Sequence, residues 1–243
     1  MSQQQSASAV DDDSVLQVAR GEGPDPSRGA EDGDLARLAE AWDAAMHVEA
    51  YVATLWRKHR SRFVRNRDRT VVDDTPPAAL TAQPLHILVL TEPWCEDSAQ
   101  LVPMLWRLAT ERPTIEVRVL REHLHRDISS RYLNAAGHPA IPTFILLDEG
   151  GRQIGALVER PLRVTQEMVA ELRDFQRQHA DLPGVNRSLD RMPEETREAV
   201  KQHLAEWREG QHERWAGILF EELADIAAES GTFAHQSGSG GSS

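Results

Sequence analysis

Between residues 85 and 179, short apolar runs alternate with stretches of helical periodicity, which confines the chain to a layered α/β architecture. Residues 85–90 (LHILVL) are an apolar, β-branched run suited to a buried strand, and 95–110 read as a helix. Residues 115–120 alternate as a second strand and 122–136 read as a second helix. Residues 143–147 (TFILL) make a third strand, Asp148-Glu149-Gly150-Gly151 a hairpin turn, 153–158 the returning strand, and about 164–179 a closing helix. The order β-α-β-α-β-β-α predicts a mixed sheet with helices on both faces.

Helical patterns flank this unit. One begins near Asp34, a suitable N-cap, with Leu35, Leu38, Trp42, Met46, Val52 and Trp56 on one face and Glu49 interrupting the stripe. Its far end is basic, with Arg57, Lys58, Arg60, Arg62, Arg65, Arg67 and Arg69 against Asp68, and Asp73-Asp74-Thr75-Pro76-Pro77 ends it. Such a run is read first as a solvated helix face, or one paired with acids elsewhere in the chain. After Leu182-Pro183-Gly184, a helical stretch opens at Pro193-Glu194-Glu195 and reaches about Glu229, with Gly210 a point of division. The expected organisation is an acidic disordered tail over 1–33, one domain over 34–230 with its core at about 83–180, and a flexible Ser/Gly tail over 231–243.

Net charge is −12, which argues against general nucleic-acid binding. Residues 1–34 hold eight acids against Arg20 and Arg28, a net of −6. No apolar run approaches the ~20 residues needed to cross a bilayer, and the first residues lack a secretory pattern. A single cysteine, Cys95, cannot form an internal disulfide. A reducing, cytoplasmic setting with no membrane partner is the expectation, and the oligomeric state is left open.

The chemistry gathers where the first buried strand meets the first helix, in Thr91-Glu92-Pro93-Trp94-Cys95-Glu96-Asp97-Ser98. A cysteine at a helix N-terminus faces unpaired backbone N–H groups and the positive end of the helix dipole. Both favour thiolate, the reactive form. Glu96 and Asp97 place negative charge beside it and favour the thiol, so the two effects oppose each other.

Trp94-Cys95-Glu96-Asp97-Ser98 resembles the Trp-Cys-x-x-Cys active site of the thioredoxins, with serine at the second cysteine position. Pro103, eight residues beyond Cys95, matches the proline that kinks their first active-site helix. Ala140-Ile141-Pro142-Thr143-Phe144 resembles the thioredoxin loop whose proline is cis, packs against the cysteine and binds substrate backbone. The likeness spans about residues 83–179, and it is nearest to bacterial single-cysteine proteins with a Trp-Cys-x-Asp-[Ser/Ala] motif, a long N-terminal helix and an Ile-Pro loop. It implies an α/β, thioredoxin-like three-layer fold with a mixed sheet, an N-terminal long helix and a C-terminal helical extension.

Two departures shape the expected activity. Ser98 cannot resolve a mixed disulfide as a second cysteine would, and Val89 stands where thioredoxins carry a buried carboxylate, six residues before the cysteine. The resemblance then implies monothiol exchange on protein disulfides or low-molecular-weight thiol disulfides. Cys95 would be the nucleophile, Ser98 a hydrogen-bond donor to its sulfur, Trp94 a flat contact surface, and Ile141 with Pro142 the loop holding an extended substrate. The alternative is a redox-inactive interaction protein using the fold as a scaffold. No cofactor is expected: Walker and Gly-x-Gly-x-x-Gly loops are absent, and His123, His125 and His138 lack the companions of a metal set.

Overall fold

The computed structural model describes residues 32–134 and 137–236. Of the tails expected over 1–33 and 231–243, residues 1–31 and 237–243 lie outside the described residues, while 32–33 and 231–236 are helical, at the ends of the first and last helices. The chain runs α1 (Asp32–Ala44), β1 (Met46–His47), α2 (Val48–Thr54), α3 (Arg57–Asp68), β2 (Leu85–Thr91), α4 (Glu96–Glu111), β3 (Ile115–Arg121), α5 (Arg126–Ser129), β4 (Thr143–Leu147), β5 (Gln153–Val158), α6 (Leu162–Gln178), α7 (Glu194–Gly210) and α8 (His212–Gln236).

The strands form one mixed sheet in the order β1-β3-β2-β4-β5. β2 runs parallel to β3 and antiparallel to β4, while β1 on β3 and β5 on β4 are antiparallel. β2 lies at the centre, and all of its residues except His86 are buried. Because side chains alternate between faces, Ile87 and Val89 enter one core with Val117, Val119, Phe144 and Leu146. Leu88 and Leu90 enter the other with Leu120, Ile145 and Leu147. Helices α2, α3, α4 and α8 cover the first face, whereas Leu38 and Ala41 of α1, with Ile128 and Tyr132, cover the second. The fold is therefore the expected α/β three-layer arrangement with helical extensions at both ends.

The N-terminal helical region is present but divided. Met46 and His47 leave the helical path to pair with Val119 and Arg118 at the sheet edge. Glu49, which interrupts the apolar stripe, accepts a 2.7 Å hydrogen bond from the indole N–H of Trp106. The helix expected over 122–136 shrinks to a 3-10 turn, Glu122–Leu124, and the four-residue α5. Only Ile128, Ser129 and Tyr132 are fully buried in residues 126–132, too narrow a stripe to sustain a longer helix. The Ser129 hydroxyl also donates to Glu122 at 2.7 Å rather than leaving the backbone to propagate.

At the far end α8 lies across β5, so closely that a Cβ at Gly155 would stand 2.5 Å from Ile226 Cγ2. Its residues Trp215, Ile218, Leu219 and Leu223 complete the first core, so the C-terminal helices pack onto the sheet.

Candidate functional site

Helix α4 begins where β2 ends. Thr91 closes the strand, the Cys95 amide donates back to the Glu92 carbonyl at 3.2 Å, and Cys95 becomes the N-cap of α4. Its sulfur accepts from the backbone N–H of Ser98 at 3.5 Å, as a capping side chain does. Its S–H donates to the carbonyl oxygen of Ile141 at 3.4 Å. The Ile141–Pro142 peptide is cis. Pro142 is buried and Ile141 half-buried. Trp94 stands 66% exposed beside the half-buried cysteine.

The structure brings Cys95, Trp94, Ile141 and Pro142 to one end of the sheet because Leu90 pairs with Thr143 on the adjoining strand. Ser98 joins them differently from expectation. Its backbone amide faces the sulfur, while its hydroxyl is buried without a hydrogen-bond partner among the described residues. The serine hydroxyl is spent on neither the thiol nor the helix.

The two acids that oppose thiolate formation are both paired. Glu96 accepts from Arg62 of α3 at 2.6 Å, and that hydrogen bond holds its carboxyl below the usual range. The buried Asp97 carboxylate binds Arg160 with one oxygen and Arg208 of α7 with the other. Arg208 also donates from Nε to Gln100 at 3.1 Å, and the Gln100 amide returns to the Arg208 carbonyl at 3.2 Å. Arg160 reaches Asp97 because the chain turns sharply after β5: Glu159 takes φ +70 and donates its N–H to the Pro142 carbonyl at 2.7 Å. Asp97 thus ties the cysteine turn, the Pro142 loop and the C-terminal helices together. At this end of α4 three guanidinium groups meet three carboxylates, since Arg160 also pairs with Glu159 at 2.8 Å.

A second buried carboxylate precedes the cysteine. The Glu92 side chain is 3% exposed and accepts from Arg121 Nη2 at 2.7 Å and Nε at 2.9 Å. Its other oxygen takes the His123 ring at 2.6 Å and the His123 N–H at 3.2 Å. Burial alone would raise the Glu92 carboxyl, and these hydrogen bonds override it and hold it low. Nearby, the Tyr51 hydroxyl is buried, and burial pushes its pKa up.

Glu92, Arg160, Arg208 and Arg62 carry no site signal in the sequence beyond Glu92 lying in the cysteine segment. Arg160 and Arg208 are 63 and 111 residues from their partner. Among the described residues no group of three or more His, Cys, Asp or Glu side chains is arranged to hold a metal ion. Likewise no helix there is long and apolar enough to cross a membrane.

A sequence profile of the family described as Thioredoxin matches residues 45–173. Among solved structures, a protein of unknown function from Pseudomonas aeruginosa is 21% identical over 79% of this chain and 97% of its own, with a TM-score of 0.49. An HIV epitope-scaffold is 20% identical over 78% and 94%, with a TM-score of 0.47. No curated protein matches the sequence.

Proposed function

We propose that this chain, which belongs to the thioredoxin family, works as a single-thiol exchange protein on protein disulfides or low-molecular-weight thiol disulfides. The observation that carries the reading is the seat of the sulfur, between the Ser98 amide and the Ile141 carbonyl at the N-cap of α4. The Ile141 carbonyl favours the protonated thiol. The Ser98 amide and the helix dipole favour the thiolate, and the acids that would resist it are held by Arg62, Arg160 and Arg208.

In the reaction, Cys95 thiolate attacks one sulfur of a substrate disulfide. A new S–S bond forms, the old one breaks, and the departing thiolate takes a proton from water. A second, external low-molecular-weight thiol then attacks the mixed disulfide as thiolate and returns Cys95 to the reduced state, leaving as the new partner in the disulfide. With Ser98 in place of a second cysteine, no internal step can do this. The Ile141–Pro142 loop would hold an extended substrate strand by backbone hydrogen bonds, with Trp94 as a flat wall beside the sulfur.

Within the family we place the chain with single-cysteine members of the Trp-Cys-x-Asp-Ser type. In support, Asp97 serves as an anchor for two arginines rather than as a group facing the sulfur.

The test is alkylation of Cys95 by iodoacetamide from pH 6 to 9, in the folded and the urea-unfolded protein, with Cys95→Ser as the blank. Faster alkylation of the folded protein at neutral pH is expected. Alkylation slower folded than unfolded throughout that range would end the exchange mechanism.

A further inference from the structure

The surface beside Cys95 carries more than the exchange reading uses. Helices α3 and α4 lie side by side and run the same way, as three contacts show. Arg62 pairs with Glu96 at 2.6 Å, the Asn66 amide donates to the Ala99 carbonyl at 2.7 Å, and the Arg67 guanidinium lies 4.2 Å from the Trp106 ring centre. Glu96 is the first residue of α4, but Arg62 is preceded by five residues of α3. At 1.5 Å per residue, the first turn of α3 overhangs the cysteine end of α4 by about 7 Å.

That overhang presents an uncommon set of side chains. Trp56, its N-cap, is 85% exposed and Trp94 is 66% exposed, and they are the only strongly exposed aromatic side chains among the described residues. Trp56 caps α3 directly ahead of its first turn, while Phe63, two turns on, is fully buried, so the apolar side chain at the overhang is bare where the next one enters the core. Lys58 lies one turn before Arg62 on the same face, and its charge is felt by Glu96. Arg62 is matched by Glu96, and Arg160 and Arg208 share Asp97. Arg57 and Lys58 are exposed, and neither has a carboxylate partner among the described residues. In a chain of net charge −12, this rim is locally cationic where the thiol opens.

Resting on the exchange reading, we infer that the partner whose disulfide reaches Cys95 is an acidic polypeptide segment, received by Arg57 and Lys58 with Trp56 and Trp94 as apolar walls. The net negative charge of the rest of the protein repels such a segment elsewhere, so the rim both attracts and orients it. The covalent step is the one already given: the segment's disulfide sulfur accepts Cys95, and its former partner leaves as a thiolate.

The experiment uses the full chain and three synthetic peptides of equal length, each bearing one cysteine as a pyridyl disulfide and differing only in acidic, neutral or basic flanks. The rate of thiopyridone release is followed by stopped flow, with dithiodipyridine as the small uncharged comparison. At low salt the acidic peptide should react at least about tenfold faster than the basic one, and the ratio should fall towards one as salt is added. Charge reversal at the exposed positions (Arg57→Glu with Lys58→Glu) should abolish the acidic-over-basic ratio, each peptide rate being taken relative to that variant's own rate with dithiodipyridine. Trp56→Ala should slow all three peptides and not the small disulfide. Equal rates for the acidic and basic peptides, or a preference untouched by the charge reversal, would overturn this inference while the exchange reading stands. Failure of the folded protein to react even with dithiodipyridine would overturn both.

Discussion

Asn66 supplies the hydrogen bond that Pro103 withholds. A proline at position 103 of α4 has no N–H for the carbonyl four residues back, that of Ala99, and the buried Asn66 amide of α3 donates to that carbonyl at 2.7 Å. A break in one helix thereby becomes a fastening to its neighbour, one turn from Cys95.

Asn66→Ala should therefore cost about 1–3 kcal/mol by leaving a buried carbonyl unsatisfied. In a Pro103→Ala background, where the helix can bond its own carbonyl, most of that cost should vanish. Urea unfolding of the two single variants and the double variant measures the coupling. Additive losses would mean that the two residues act separately.

Asp97→Ala removes the shared partner of two arginines whose side chains are 19% and 15% exposed. Arg160 keeps Glu159 at 2.8 Å, while Arg208 loses its carboxylate partner; an uncompensated buried charge costs about 3–5 kcal/mol, seen as a lower urea midpoint. In the surviving folded protein Cys95 alkylation should be faster at neutral pH, since an acid that resists the thiolate is gone and Arg208 is left as an unmatched cation at the same end of α4.

Ser98→Ala should leave both stability and the alkylation rate nearly unchanged, within about 0.5 kcal/mol for stability. The hydroxyl is buried without a partner, and the backbone amide that faces the sulfur is retained in alanine. A marked fall in alkylation rate with an intact fold would restore the hydroxyl as the group that stabilises the sulfur.

Stability should fall on mild acidification. His212 is buried against Thr70, its Nε2 2.9 Å from the threonine oxygen, with Arg69 and Glu209 nearby. Burial, then the Arg69 charge, pushes its pKa down to about 4 from 6.5. The folded state thus holds the ring neutral, and below pH 6.5 the unfolded chain binds the proton first. The stabilisation is full above about pH 6.5 and is lost as pH falls towards 4, on the order of 3 kcal/mol in all. His125, also pushed down by burial, adds to the same trend. Urea midpoints from pH 7.5 to 4.5 should decline, and His212→Leu should remove most of the decline.

The strands and the cysteine turn are legible in the sequence because their signals are local. The apolar runs at β2 and β4 span the length of one strand, and the turn residues between β4 and β5 sit where a hairpin needs them. Trp94-Cys95 and Ile141-Pro142 are recognisable as short words. What escapes is whatever depends on distant pairing. Nothing near Asp97 marks Arg208, and nothing near Glu92 marks Arg121 as its partner. The basic run from Arg57 to Arg69 reads as solvent-facing or paired with distant acids, and Arg62 and Arg69 take the second course with Glu96 and Glu209, partners that nothing near them in the sequence marks. The N-terminal helix reads as continuous because Met46 keeps the helical period, and only the presence of β3 alongside makes a strand the better use of its backbone.

The pairing of Leu90 with Thr143 also determines how the site can respond. Cys95 follows β2 by four residues and Ile141 precedes β4 by two, so the backbones carrying sulfur and carbonyl are anchored to two neighbouring strands at the buried centre of the sheet. Parting the two strands requires the central ladder to open, an event of the same scale as unfolding the domain. Amide hydrogen exchange along β2 and β4 would accordingly be among the slowest in the chain. In the exchange reading, discrimination between substrates then falls to the exposed side chains beside the sulfur, Trp94 foremost.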